Sequence, residues 1–139
     1  MTIYKLLAGL CFISFSALLR AEIYIAHCPE NIKTIERIKE TPQGWEAIKD
    51  TENNYLSMVS FYSGHPDQMA SLKPEFANKK QAKWEFSSQE LIYLVCHYNH
   101  SGIKLTQQLP EKTIKCQVTY NQSLMGSNGF LPEKIQCDR

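Results

Sequence analysis

Four cysteines, Cys28, Cys96, Cys116 and Cys137, constrain this chain more than any other feature. The gaps between them are 68, 20 and 21 positions. Cysteine zinc sites usually draw their ligands from close pairs such as C-x2-C, and none of these gaps provides one. An even set of widely spaced cysteines in a small exported chain reads instead as two disulfides. That pairing leaves no free thiol to serve as a nucleophile.

The N-terminus supports export. Lys5 is followed by an uncharged apolar run from Leu6 to Leu19. As a helix this run would span about 21 Å at 1.5 Å per residue, short of the roughly 30 Å hydrocarbon core of a bilayer. It therefore suits a signal peptide, residues 1–21, rather than a permanent membrane span. Cleavage after Ala21 is expected, with Ala17 as the alternative. Cys11 follows Leu10 rather than a small residue, so it leaves with the signal instead of carrying a lipid. The remaining segment, 22–139, has the length of one domain and shows no linker or repeat. It holds 13 basic and 14 acidic residues once Lys5 and Arg20 are removed. A net charge of −1 offers no basic field for nucleic acid.

The pattern along 22–139 predicts an α+β fold that is mostly antiparallel β-sheet, with one or two short helices. Glu22–Cys28, Asn54–Ser63, Lys83–Ser87 and Leu91–Tyr98 read as strands, the second and fourth apolar on both faces and hence central. Ile32, Ile35 and Ile38 recur every third residue and fit either a helix face or a strand. One helical turn is expected over Gln68–Leu72, started by Asp67. Thr113–Tyr120 alternates with period two, as a half-buried strand does. Turns at Asn99–Gly102, Leu109–Lys112 and Met125–Gly129 would join the last strands into a meander, with Glu133–Cys137 as an edge strand. That register places Cys96 opposite Leu105, Leu105 opposite Cys116, and Cys116 opposite Cys137. Cys96 and Cys116 would then lie two strands apart, about 9.6 Å, beyond the roughly 7 Å that a disulfide tolerates. The expected bonds are Cys28–Cys96 and Cys116–Cys137.

Motifs for chemistry are sparse. His97 and His100 are three apart but would point to opposite faces of a strand, and no carboxylate stands at a ligand spacing, so neither metal nor cofactor is expected. No Gly-x-Ser-x-Gly, His-Glu-x-x-His or glycine-rich phosphate loop occurs. Acid–base pairs such as Asp50/Glu52 or Glu85/Glu90 could only be recognised in space. Aromatic residues at turns are candidates for partner contact: Trp45, and Phe61, Tyr62 and His65 at the end of a strand. Their competing role, which Trp84 shares, is to fill the core. Leu124, Met125 and Phe130 flank a glycine-containing loop and are the stronger interaction candidates.

Several short motifs recur in order: Cys28-Pro29, Gly44-Trp45, Gly64-His65-Pro66, Trp84-Glu85-Phe86, Cys96-His97-Tyr98, and Leu109-Pro110 followed by Cys116. Their succession resembles a family of small exported Gram-negative bacterial proteins of unknown function. The resemblance implies one β-rich domain in the cell envelope and brings no catalytic residue with it. The function expected is a non-enzymatic binding, inhibitor or accessory protein of the envelope, periplasmic or secreted, whose partner is a protein or an envelope component. The alternatives are a small secreted hydrolase acting on cell-wall or extracellular material, and a secreted factor acting on another cell or host. Oligomeric state is left open. Intact mass of the protein recovered from the periplasm should correspond to a chain starting at Glu22 and rise by about 4 Da on reduction, one hydrogen pair per bridge. A full-length chain with free thiols would overturn both the export and the disulfides.

Overall fold

Alternating strands leave every antiparallel sheet with one apolar face to cover, and here two sheets cover each other. The computed structural model describes residues 21–35, 37–48 and 53–139. Residues 1–20, which hold nearly all of the expected signal, and the pair Asp50/Glu52 lie outside that set. Ten strands follow in order: β1 Ile23–Ala26, β2 Asn31–Ile32, β3 Asn54–Ser63, β4 Ser71–Leu72, β5 Phe76–Ala77, β6 Gln81–Glu85, β7 Ile92–Tyr98, β8 Lys104–Gln108, β9 Lys115–Gly126 and β10 Gly129–Asp138. The first sheet runs β1-β10-β9-β6-β5. The second runs β2-β3-β7-β8, with β4 also paired to β3.

Inward residues of the two sheets share one core. Trp84, Cys116, Val118, Ile135 and Cys137 come from the first; Val59, Phe61, Ile92, Leu94 and Cys96 come from the second. Phe61 is completely buried, its ring centroid 4.8 Å from that of Trp84 and 5.6 Å from that of Phe86. The polar parts of the buried aromatics are satisfied: Trp84 Nε1 donates to the Leu72 carbonyl at 3.2 Å, and Tyr98 Oη to that of Pro29 at 3.0 Å.

The architecture is mostly β rather than α+β. Among the described residues the one helical element is a 3-10 turn, Pro66–Gln68. His65 caps it by accepting from the Asp67 N–H, and Met69 ends it at φ 61°. The turn thus forms slightly upstream of the expected Gln68–Leu72. Of the isoleucine series, only Ile32 enters a strand; Ile35 and Ile38 are exposed. Among the described residues no helix is long and apolar enough to cross a membrane.

The C-terminal meander is not formed. β7 and β8 make the expected hairpin, with Cys96 opposite Leu105. The chain then crosses to the other sheet, where β9 pairs with β6 and β10. Leu109 and Thr113 are buried at the crossing, and Thr113 Oγ1 donates to the Pro110 carbonyl at 2.6 Å, so the turn is a bridge between layers rather than a hairpin. β10 is correspondingly an inner strand between β1 and β9, not an edge.

Both expected disulfides are present. Cys116–Cys137 joins directly opposed residues of β9 and β10, and Cys28–Cys96 links the segment after β1 to β7. The conclusion that Cys96 and Cys116 do not pair survives although the middle hairpin used to reach it does not exist. Loop-closure entropy ranks the two bonds by the chain each encloses. Cys28→Ser with Cys96→Ser should lower the unfolding free energy by about 4 kcal/mol, and Cys116→Ser with Cys137→Ser by about 3 kcal/mol, in guanidinium unfolding curves. Equal losses would point to strain or residual structure rather than loop length.

Candidate protein-binding site

An irregular hairpin builds one wall of a concavity. From Cys137 opposite Cys116 the β9–β10 ladder is regular as far as Lys134 opposite Thr119. A shift between Pro132 and Lys134 then leaves Glu133 extra on β10. A second shift takes the pairing from Leu131–Asn121 to Phe130–Met125, so Gln122, Ser123 and Leu124 have no partner across the ladder. The Ser123 N–H donates to Asn121 Oδ1 at 2.9 Å and holds that protrusion. Bulges bend the strand that carries them and redirect its side chains.

The result is a groove of about 510 Å3 between the β9–β10 hairpin, the segment leaving β1 and the start of β3. Ile25, Leu56, Leu124, Leu131 and Pro132 supply its apolar lining. Glu30, Glu133, Lys134 and His27 also border it. Three large side chains at or beside it face solvent: Tyr55 at 55% exposure, Leu124 at 52% and Met125 at 70%. The hairpin is anchored at its tip, where Ser127 Oγ donates to Asn99 Oδ1 at 3.0 Å. The Asn99 N–H donates in turn to the Tyr55 carbonyl at 2.9 Å, so both walls are tied to one turn. A Cβ at Gly126 would meet Leu131 Cδ2 at 2.7 Å, so a larger residue there would push the Leu131 side chain aside.

A second surface lies on the outer face of the β3–β7–β8 sheet. Tyr62 stands opposite Tyr93, and His65 meets the Tyr93 ring edge-on at 5.4 Å. Tyr93 Oη donates to Gln108 Oε1 at 3.0 Å. Ser60 Oγ and His97 Nε2 share a hydrogen bond of 2.7 Å. Burial lowers the His97 pKa, and the positive charge of Lys104, its cross-strand neighbour, lowers it further.

The sequence-derived candidates therefore do not converge. Leu124 lines the groove; Met125 is exposed next to it, with half-buried Phe130 opposite Met125 across the ladder. Tyr62 and His65 sit at the opposite end of β3, about 24 Å along the strand from Tyr55 at 3.4 Å per residue. Trp45 is 77% exposed on the long connection between β2 and β3. Phe61 is a core residue and has no surface to offer a partner. The expected loop at Met125–Gly129 shrinks to Ser127 and Asn128, the strands continuing to either side. Tyr55, Leu131 and Pro132 escaped the sequence reading, since only the bulges aim them at a common space. A run of polar residues, Asn121-Gln-Ser123, inside an alternating strand was the one available signal. Among the described residues no cluster of three or more histidine, cysteine or acidic side chains could hold a metal.

The lowered His97 pKa sets a sign for pH dependence. The unfolded chain takes up the proton first as pH falls through the ordinary value of 6.5, so folding is weakened below it and not above. Urea midpoints should be flat above about pH 7 and drop as pH falls below about 6.5, with a shallower drop in His97→Gln. Identical profiles for both proteins would show that His97 is not the responsible group.

A family model described as "Type VI secretion system Tli immunity protein" matches residues 51–138, well over half of the chain. The match takes in β3 to β10 and so most of the groove, and leaves β1, β2 and Trp45 upstream of it. It agrees with the expectation of a small Gram-negative protein that acts as an inhibitor. No curated protein and no solved structure matches.

Proposed function

This chain belongs to the type VI secretion system Tli immunity protein family, and we propose that it binds a type VI toxin through the groove beside the β9–β10 hairpin. Membership supports an inhibitor whose partner is a protein, and on this reading it acts by binding rather than catalysis. The observation that carries the choice of surface is Leu124, held in solvent on the groove wall by a bulge, with exposed Met125 next to it near the anchored hairpin tip. An apolar pair exposed by an ordered backbone lowers the entropic penalty of binding, because little has to be immobilised when a partner arrives. Glu30, Glu133 and Lys134 around the groove provide a polar rim of the kind that surrounds such contacts.

Neutralisation takes place in the periplasm on this reading, after removal of residues 1–21. Two disulfides support it, because such bonds persist in oxidising compartments. The histidine–carboxylate contact recorded among the described residues, His65 with Asp67, lies on open surface. There Nδ1 accepts from a backbone N–H as a cap, which favours binding over hydrolysis.

The test is protection. Cells lacking this protein should be intoxicated by type VI-active siblings, and the exported chain should restore growth. Leu124→Glu and Met125→Glu should each weaken toxin binding about tenfold or more, the effect of losing a central apolar contact, with thermal stability retained. Full protection by both variants would remove the groove as the contact surface. Unimpaired growth of the deletion strain would remove the immunity reading itself.

A further inference from the structure

Sheet edges are where a β protein must prevent or permit pairing with another chain. Most edges here are short: β2, β4 and β5 are two residues each, and β1 is four. β8 is the exception. It spans five residues, Lys104-Leu-Thr-Gln-Gln108, all exposed, with no proline and one charge at its end. Among the described residues no strand pairs with its outer side.

The ladder determines which backbone groups are free. The Leu109 N–H donates to the Ile92 carbonyl on β7, so alternate residues Leu105 and Gln107 also turn their amides toward β7. Lys104, Thr106 and Gln108 then turn theirs outward. We propose that β8 is a self-association edge, through which two copies of this chain pair antiparallel about a two-fold axis at Thr106. In that register Thr106 faces its own counterpart, and Lys104 faces Gln108 of the second copy on each side. The three facing pairs would exchange about six backbone hydrogen bonds, two per pair. Lysine never meets lysine. Registers centred one residue either side put Leu105 or Gln107 on the axis and leave two facing pairs within the strand, about four hydrogen bonds instead of six, and centring on Lys104 sets two ammonium groups against each other.

Side-chain placement agrees. Leu105 is 37% exposed and lies on the face of β8 that looks toward the first sheet, where Gln107 Nε2 donates to Tyr24 Oη on β1. Pairing sets Leu105 beside Gln107 of the second copy and covers this apolar edge. The interface is isologous, so it closes at two copies and does not propagate into a fibre. It involves neither Leu124 nor Met125 and is independent of the immunity reading.

Sedimentation velocity of the full chain over the micromolar range tests it. A concentration-dependent shift from one to two chain masses is expected. Thr106→Lys sets two like charges opposite each other on the axis and should weaken the dimer about fivefold or more. Gln108→Glu sets a carboxylate against Lys104 twice and should tighten it about fivefold, with the gain lost at high salt. Circular dichroism confirms that both variants keep the sheet. A wild-type protein that stays monomeric throughout, or a dimer indifferent to both substitutions, overturns the proposal.

Discussion

Phe61 and Trp84 meet where the two sheets face each other, and the other structural features are arranged around that contact. Phe61 sits on β3, a strand flanked by β7 on one side and by β2 and β4 on the other; Trp84 sits on β6 next to β9. Their rings approach to 4.8 Å while the Trp84 N–H reaches the Leu72 carbonyl, so one side chain closes the core and ties the short β4 to it. A domain of this size has little apolar area to spare. Both disulfides abut the same interior: Cys96, Cys116 and Cys137 are buried members of the core, and Cys28 packs against it.

Rigidity is distributed unevenly along the β9–β10 hairpin. The end carrying Cys116–Cys137 keeps strict register and lies in the core. The other end accumulates two register shifts within a few residues and leaves the core altogether. Had the ladder stayed regular, Leu124 would sit opposite a β10 residue and alternate with its neighbours. Irregular pairing instead opens a groove against β3, and the Ser127–Asn99 hydrogen bond prevents the freed tip from wandering. The groove is thus a controlled departure from the sheet, made affordable by the covalent bond at the far end.

Both disulfides occupy the cysteines, His65 serves as a cap and His97 as a hydrogen-bond partner, and the groove has apolar walls with a charged rim. Cys28–Cys96 has an additional consequence for this family member. It fastens the β1–β2 segment, which lies upstream of the matched region, onto β7 within it. Ile25 and Leu56 can therefore line the same groove although the family match includes only the second.

The strands themselves were legible in the residues. Apolar runs and period-two alternation are properties of neighbours along the chain, which is why Asn54–Ser63, the core of β7 and the first half of β9 were located correctly. The cysteine pairing was legible too, since Cys116 and Cys137 flank one hairpin and Cys28 and Cys96 remain. Sheet membership was not. Nothing in Leu109-Pro-Glu-Lys112 distinguishes a hairpin turn from a crossing between layers, because the difference lies in whether β6 is there to receive β9. The aromatic residues show the same limit: Phe61 and Trp45 were indistinguishable as candidates, and one is wholly buried while the other is exposed. Local periodicity settled what is a strand and which thiols meet. Only the tertiary structure decided which strands share a sheet, and hence which side chains remain outside to meet a partner, because burial depends on residues distant in the chain.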